Sequence, residues 1–388
     1  MNLVKSLIFI LFFAATTSYA QLAKDKCKFL GNIIGSSTPS DFTTYWNQVT
    51  PENAGKWSSV EATKDVMTWT QFDNAYKTAK DHGLPFKWHT FTWGQQQPSW
   101  LGSLSAEEQK AQVEEWIEAV AERYPDVDYI DVVNEPLHET PVYANSLGGK
   151  GTTGWDWVIW AFEKARATFP NAKLVLNDYN VINDNSATTK YLSIINFLKD
   201  RQLIDYIGEQ GHNLETTTNE MIKSNLDKLA ATGLPILISE YDLNFSSDSE
   251  QRAKYESQFP VLWGHYGVHG VTLWGYRQGQ IWRTDAYLVR TDGTARPALD
   301  WLKTYVKENV GGTFCLTTGV EDQKNDAALN VYPNPSNGEV NIVSSCEFRV
   351  SDLHGRILKT GSGSQSVQLA PGLYLVRSSS QTKKILIR

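Results

Sequence analysis

The chain has 388 residues and a formal net charge of −7, from 36 basic and 43 acidic side chains. This length allows one large domain, or a large domain with a small second one. The sequence has no long basic tract, which argues against a nucleic acid as partner and is compatible with a neutral substrate.

The first 20 residues have the features of a secretory signal peptide. Lys5 supplies a positive charge, residues 7–15 are apolar, and Ser18 and Ala20 are small residues where a signal peptidase reads the chain. The apolar stretch is shorter than the roughly 20 residues that a spanning helix needs, and no later segment is long enough either. We therefore expect residues 1–20 to be a signal peptide, a secreted or cell-surface protein, and no membrane span.

Three cysteines are present, at Cys27, Cys315 and Cys346. Export permits disulfide bonds, and Cys27 and Cys315 flank the large domain, so a bond between them could join its ends. The spacing of the cysteines matches no zinc site, and the sequence predicts no bound metal.

Short apolar runs alternate with longer helical segments between residues 27 and 308. Eight runs have the length and composition of buried strands, and they span 29–35, 46–50, 86–91, 129–134, 173–177, 206–210, 236–239 and 270–274. Segments with helical periodicity lie between them, among them 107–123, 157–169, 191–198 and 221–231. Eight strand–helix units predict a closed (β/α)8 TIM barrel. The alternative, an open doubly wound sheet, would usually have a glycine-rich phosphate loop after its first strand, and none is found there.

Local signals mark the ends of two predicted helices. Ser105 followed by Glu108 is typical of a capping box at a helix start. Gly233 and Pro235 predict the end of the helix that precedes the seventh strand.

The character of the sequence changes near residue 309. Residues 309–326 are rich in glycine and polar residues and are predicted to form a linker. Residues 327–388 contain short alternating strand patterns and turn signals, such as NPSNG at 334–338. We expect a small all-β sandwich module to follow the barrel.

Polar side chains recur at the carboxyl ends of the predicted barrel strands, where barrel enzymes build their active sites. They are Glu52, Asn53, Lys56, His89, Asn134, Glu135, Gln210, His212, Glu240 and Asp242, followed by Trp274 and Trp282. Their recurrence at strand after strand predicts one shared site.

Two of these residues have the chemistry of glycoside hydrolysis, in which one carboxyl protonates the leaving oxygen and another meets the charge at the anomeric carbon. Glu135 and Glu240 follow the fourth and seventh strands, so their side chains can converge from opposite walls. Asp242 lies two residues after Glu240 and would point the same way in a continuing strand. His212 could then lie between these two carboxylates and tune the charge of Glu240.

The motifs resemble those of family 10 glycoside hydrolases, the endo-1,4-β-xylanases. They are TPENAGK at 50–56, HTFTW at 89–93, DVVNEP at 131–136, QGH at 210–212, ISEYD at 238–242 and Trp274-Gly275, in the order of the family. The resemblance covers about residues 30–305.

The resemblance implies a retaining enzyme with Glu135 as acid/base and Glu240 as nucleophile. It implies that Asn134, His89, Trp93, Gln210 and His212 hold the sugar on the non-reducing side of the cut. Glu52, Asn53 and Lys56 would bind the next sugar out, and Trp274 and Trp282 would form aromatic walls. No cofactor is implied, because two carboxylates suffice for the reaction.

Three positions depart from the family pattern. Gly94 replaces a histidine, while Gln278 and Ile281 stand where an aspartate and a serine are common. These departures leave the tolerated decorations of xylan open. A β-1,4-glucanase, a mixed-specificity glycanase and a non-catalytic glycan-binding protein stay as alternatives, and a monomer is the default.

The C-terminal module is similar to the sorting domains of the type IX secretion system, through LNVYPNP at 329–335, DLHGR at 352–356 and PGLYLV at 371–376. This resemblance implies the secretion machinery as a partner. The alternative is a carbohydrate-binding β-sandwich that acts in adhesion, but the module has no tryptophan to stack on a sugar.

Overall fold

The computed structural model describes residues 21–309, 311, 329–332, 335–352, 356–378 and 382–388. The predicted signal peptide lies outside these residues, as does most of the predicted linker. Eight strands form the first sheet: β1 (Phe29–Ile34), β2 (Val49–Pro51), β3 (Lys87–Thr92), β4 (Tyr129–Asn134), β5 (Lys173–Asp178), β6 (Tyr206–Glu209), β7 (Ile236–Tyr241) and β8 (Val268–Leu273). The helices are α1 (Phe42–Tyr45), α2 (Trp57–Val60), α3 (Thr70–Asp81), α4 (Ala106–Arg123), α5 (Asp156–Thr168), α6 (Asn185–Asp200), α7 (Asn219–Ala230), α8 (Asp248–Gly264) and α9 (Pro297–Glu308).

The eight strands are parallel and closed into a barrel. Hydrogen bonding runs in the order β2-β1-β8-β7-β6-β5-β4-β3. A parallel bridge from Val49 to Phe86, with Val49 N donating to Pro85 O at 3.0 Å, joins the two ends. The predicted (β/α)8 barrel is therefore confirmed.

Most predicted strand boundaries differ from the observed ones by up to two residues, and the largest error is at the second strand. The second strand was predicted to begin at Trp46, but it begins at Val49. Trp46 instead ends the short helix α1, where its backbone N–H bonds Phe42 O, and its fully buried indole supplies the apolar character that resembled a strand.

Apolar side chains cover both sides of the strands, as parallel sheets require.

A stack of three indoles lies between the strand layer and the helix layer. Trp116 of α4 lies between Trp57 and Trp69, with ring centroids 5.7 and 5.9 Å away and planes within 5° and 3° of parallel. Its Nε1 donates to Phe91 O at 3.2 Å, which fixes the end of β3 just before Trp93.

Side-chain caps begin several of the helices. At α4, Ser105 Oγ accepts from Glu108 N at 3.3 Å and Glu108 Oε2 accepts from Ser105 N at 2.8 Å, so the predicted capping box is confirmed. At α6, Asp184 Oδ1 accepts from the backbone N–H groups of Ser186 and Ala187 at 2.7 and 3.1 Å. These caps satisfy amides that the helices themselves leave without partners.

The C-terminal module is an antiparallel sheet of five strands, which confirms the predicted small all-β module. Its strands are β9 (Leu329–Tyr332), β10 (Glu339–Asp352), β11 (Ile357–Gln368), β12 (Gly372–Ser378) and β13 (Thr382–Ile387). They run in the order β11-β10-β12-β13, with β9 also paired to β10. Their apolar core includes Val340, Ile342, Phe348, Val350, Val376 and Ile385.

Cys27 is disulfide-bonded. Cys315 lies outside the described residues, so its pairing with Cys27 stays a prediction. In the described part of the chain, none of the helices combines the length and the apolar character needed to cross a bilayer.

Candidate active site

The predicted site residues meet at the carboxyl ends of the barrel strands. Glu135 and Glu240 contact one connected set of side chains, and both carboxylates are buried, at 9% and 4% exposure. All thirteen predicted residues lie within or beside this set, so the structure brings together the side chains that recur at the strand ends.

Glu135 immediately follows β4 and has a left-handed backbone, with φ of 56°. Its N–H donates to Asn177 O at 2.7 Å, which holds this conformation. Its Oε1 accepts from Gln210 Nε2 at 3.0 Å and from Asn134 Nδ2 at 3.2 Å, while its Oε2 accepts from Trp93 Nε1 at 3.0 Å. These three hydrogen bonds hold both oxygens of the Glu135 carboxyl in place.

Burial raises the pKa of Glu135 above its usual value, and the negative charge of Glu240 raises it further. The hydrogen bonds from Gln210 and Trp93 oppose this shift. Glu135 is therefore poised to hold a proton, as a general acid must.

Glu240 lies in β7, where its N–H donates to Gln210 O at 2.7 Å. Its Oε1 accepts from Asn177 Nδ2 at 2.8 Å, and its Oε2 lies 3.3 Å from His212 Nε2. Burial favours the neutral acid, but the charges of His89 when it is protonated, of His212 and of Lys87 outweigh it and lower the pKa of Glu240 to about 2. Glu240 is therefore an anion at neutral pH.

His212 connects Glu240 to Asp242. Its Nδ1 lies 3.1 Å from Asp242 Oδ2, on the far side of the ring from Glu240. Burial would lower the pKa of His212, but the charge and close contact of Asp242 and the hydrogen bond to Glu240 raise it to about 10. A protonated His212 is thus the cation that stabilises the Glu240 carboxylate.

Asp242 also fixes the loop that follows β8. Its Oδ2 accepts from Trp282 Nε1 at 2.8 Å and its Oδ1 from Arg283 Nη1 at 2.8 Å. Trp282 lies against His212, with ring centroids 5.0 Å apart, and is 56% exposed. Trp274, in contrast, is buried and its ring centroid lies 5.2 Å from that of His89.

A buried ion pair between Lys87 and Asp131 holds His89 of β3 in place. Its Nδ1 bonds Asp131 Oδ2 at 2.9 Å, and Lys87 Nζ donates to the same oxygen. Burial lowers the pKa of His89, so its imidazole is neutral at neutral pH. For this reason we attribute the ionisation of Glu240 to His212 rather than to His89.

Glu52, Asn53 and Lys56 lie at the side of the mouth formed by the segment after β2. Lys56 Nζ donates to Asn53 Oδ1 at 2.8 Å and lies 5.0 Å above the Trp93 ring. Burial raises the pKa of Glu52, while the charge of Lys56 opposes this. Burial lowers the pKa of Lys56, and the charges of Glu240, Glu52 and Glu135 oppose this shift.

Several residues of the site were not predicted. Asn177, near the end of β5, donates to Glu240 Oε1 and to Asn134 Oδ1, each at 2.8 Å, and its own Oδ1 accepts from Ser239 Oγ at 2.6 Å. Asn177 could have been identified from the sequence as a polar residue near the end of a strand, which is the feature that identified Asn134. Lys87 begins β3 and Asp131 lies inside β4, so neither is at the carboxyl end of a strand, where this signal occurs.

The three departures fit their surroundings. A Cβ on Gly94 would come within 2.6 Å of Glu139 O, so the backbone there excludes a side chain. The Ile281 side chain packs on Gly275, where a Cβ would meet it at 2.8 Å. Gln278 Oε1 accepts from Thr291 N at 3.2 Å within its own loop.

Comparisons with known proteins agree with this geometry. The model of glycosyl hydrolase family 10 matches residues 12–305, and that of the secretion system C-terminal sorting domain matches residues 330–388. Endo-1,4-beta-xylanase B of Cellvibrio japonicus is 42% identical over 280 residues, which are 71% of this chain and 45% of that protein. The chain therefore spans less than half the length of this relative.

Two further matches cover more of the other protein. Endo-1,4-beta-xylanase C of Phanerodontia chrysosporium is 29% identical over 284 residues, which are 69% of this chain and 68% of that protein. The crystal structure of xylanase 10B from Thermotoga petrophila has a TM-score of 0.67 at 23% identity, covering 76% of this chain and 98% of that one. At this identity the structural likeness supports the fold.

Proposed function

Since the chain belongs to glycosyl hydrolase family 10, we propose that it is a retaining endo-1,4-β-xylanase, with Glu135 as acid/base and Glu240 as nucleophile. The observation that carries this proposal is the opposite ionisation of two buried carboxyls in one polar network. The pKa of Glu135 is raised by burial, and that of Glu240 is lowered to about 2. Such a pair supplies an acid and an anion at the same pH.

In the first step, Glu135 gives its proton to the glycosidic oxygen while Glu240 attacks the anomeric carbon. The bond to the leaving sugar breaks and a covalent glycosyl-enzyme forms, with inversion at that carbon. Glu240 loses its negative charge when it is esterified. Since that charge raises the pKa of Glu135, its loss lowers this pKa and favours the Glu135 carboxylate, which can accept a proton.

In the second step, Glu135 removes a proton from water, which attacks the same carbon and releases Glu240. A second inversion gives net retention. The Asn177 amide donates to Glu240 Oε1 and to Asn134 Oδ1, each at 2.8 Å. It therefore holds the nucleophile and the Asn134 amide in fixed positions relative to each other through both steps. We propose that Asn134 bonds the sugar 2-hydroxyl, a contact that strengthens in the transition state.

The other polar residues would bind the non-reducing part of the substrate. We assign His89, Trp93, Gln210 and His212 to the sugar beside the cut, and Glu52, Asn53 and Lys56 to the next sugar. Lys56 Nζ lies 5.0 Å from the Trp93 ring centroid on this side of the cleft. We propose that this pair leaves too little room for the hydroxymethyl group that glucose has and xylose lacks. Trp274 and Trp282 would stack on sugar faces.

The sorting-domain match indicates a secreted or cell-surface protein. We propose that residues 1–20 are removed on export, that residues 27–308 form the catalytic barrel, and that residues 309–326 link it to a sorting domain at 327–388. The secretion machinery would be the partner of that domain, and the barrel would act as a monomer.

The test is covalent trapping. A 2-fluoro xylobioside with an activated leaving group should add one xylobiosyl group to the full chain, on the peptide that contains Glu240. The addition should be absent in Glu240→Gln. Labelling of another residue, or inverted stereochemistry of the first product by NMR, would contradict the proposed mechanism.

A further inference from the structure

His138 lies beside Glu135 and has no role in the mechanism above. His138 is three residues beyond Glu135, and its N–H donates to Glu135 O at 3.1 Å. The same carbonyl accepts from Glu139 N at 2.8 Å, so a tight turn fixes His138 relative to Glu135.

The ring of His138 is held by a fully buried carboxylate. Asp178, the last residue of β5, accepts from His138 Nδ1 at 2.7 Å and from Tyr179 N at 2.8 Å through Oδ1. Its Oδ2 accepts from Leu137 N at 2.9 Å. The His138 side chain keeps 27% of its surface exposed, whereas that of Asp178 has none. The imidazole is therefore anchored at one nitrogen and accessible elsewhere.

His138 also stacks on Tyr179. The ring centroids are 3.9 Å apart and the planes are within 19° of parallel. Stacking and the bond to Asp178 together leave the imidazole one orientation. A side chain fixed in this way loses little entropy when it binds a ligand.

The charged groups that act on His138 favour its protonated form. The hydrogen bond to Asp178 raises the pKa of His138, and the charges of Asp178, Glu135 and Glu139 act in the same direction, while burial opposes them. Burial raises the pKa of Asp178, and the bonds from His138 and from two backbone amides oppose that shift.

The position of the stacked pair in the barrel identifies what it faces. The strand order puts β5 four places from β1 around a ring of eight, so Tyr179 lies across the mouth from the segments after β1 and β2. Glu52 and Lys56, which follow β2, are assigned to the non-reducing side. A xylan chain that crosses Glu135 and Glu240 from that side would reach His138 and Tyr179 next, since both lie close enough to Glu135 for its charge to act on them.

We propose that His138 is a binding residue for the leaving sugar, and that its charge, fixed by Asp178, strengthens hydrogen bonds to the hydroxyl groups of that sugar. This inference rests on the proposed function and adds a specific residue on the reducing side of the cut. Hydrogen bonds from a charged donor contribute more than neutral ones. Loss of the charge should therefore weaken binding on this side alone.

The experiment uses 4-nitrophenyl β-xylobioside as donor, since it has no sugar on the leaving side. Added xylobiose can bind that side and intercept the glycosyl-enzyme to give a longer product. The measurement is the xylobiose concentration that diverts half of the intermediate, for the full chain and for His138→Phe. We expect this concentration to rise roughly tenfold in the variant, as loss of one charge-assisted hydrogen bond implies, and to change more than the rate of donor hydrolysis does.

The pH dependence separates this role from a structural one. In the wild type, the half-diverting concentration should rise as pH increases and His138 loses its proton, and in His138→Phe it should not change. His138→Gln keeps a donor for Asp178 and should also lose the pH dependence. His82→Phe is the matched control: His82 ends α3, with Nδ1 bonded to Thr78 O, and it should behave like the wild type.

An unchanged half-diverting concentration in both His138 variants would overturn the inference. So would an equal loss in donor hydrolysis and in acceptor use, which would indicate damage to Glu135. A wild-type chain that leaves the donor intact would overturn the proposed function, and this inference with it.

Discussion

Nε2 of His212 lies 3.3 Å from Oε2 of Glu240. The opposite ring nitrogen lies 3.1 Å from Asp242 Oδ2, so one imidazole connects two buried carboxylates. Because His212 is held as a cation by both, it keeps Glu240 ionised in a place where burial alone would neutralise it. Removing the outer carboxylate should therefore alter the ionisation of the inner one.

Asp242→Asn should move the acid limb of the kcat/KM profile to higher pH. Without the Asp242 charge, the pKa of His212 falls from about 10, and the pKa of Glu240 rises from about 2 because its cation is less available. Glu240 works only as an anion, so activity is lost at a higher pH than in the wild type. At neutral pH we expect about a tenfold loss, equivalent to one misplaced hydrogen bond.

Asp227→Asn is the control for this variant. Asp227 Oδ1 lies 3.1 Å from His265 Nε2, so it is also an aspartate paired with a histidine, but it lies on α7 away from the mouth. Its pH profile should match the wild type. An unaltered profile in Asp242→Asn would contradict the role of His212.

Glu240→Gln should lower the pKa of Glu135. The negative charge of Glu240 raises the pKa of Glu135 in the native site, and an amide at position 240 has no such charge. The measurement is an NMR titration of the Glu135 carboxyl carbon in Glu240→Gln and in the wild type. An equal or higher pKa in the variant would contradict the change of Glu135 from acid to base between the two steps.

Asp184→Ala should destabilise the barrel by about 1 kcal/mol, because the N-cap of α6 is lost. Asp184 Oδ1 accepts two backbone N–H groups, at 2.7 and 3.1 Å. Asp200→Ala, at the other end of the same helix, removes a negative charge from the negative end of the helix dipole and should not destabilise. Urea unfolding gives the free energy of unfolding of both variants. An equal decrease in the two variants would contradict the stabilising role of the Asp184 cap.

The barrel could be predicted from sequence because each strand is a short apolar run bounded by turn signals. The limits of the elements were harder to predict. Helix α6 was predicted over 191–198 but spans Asn185–Asp200, since its first turn is polar and only the Asp184 cap marks its start. Trp46 was assigned to a strand because a large apolar side chain is equally suited to burial at the end of a helix and to burial in a sheet.

The candidate site was predictable where a polar residue ends a strand, as at Asn134 and Gln210. The sequence could not reveal the inner support. Lys87 and Asp131 form a buried ion pair below His89, and only the register between β3 and β4 brings them together. The contact between His138 and Asp178 likewise depends on a turn after Glu135, whose left-handed backbone has no sequence signature of its own.

Release of reducing sugar from xylan and from carboxymethylcellulose, by the full chain and by Glu240→Ala, tests the central claim most directly. The proposed function predicts release from xylan alone, reduced roughly 10⁴-fold or more in the variant, since removal of a catalytic nucleophile has effects of this size. Release from carboxymethylcellulose at a comparable rate would indicate a mixed-specificity glycanase. Undiminished release from xylan by Glu240→Ala would contradict the assignment of the nucleophile.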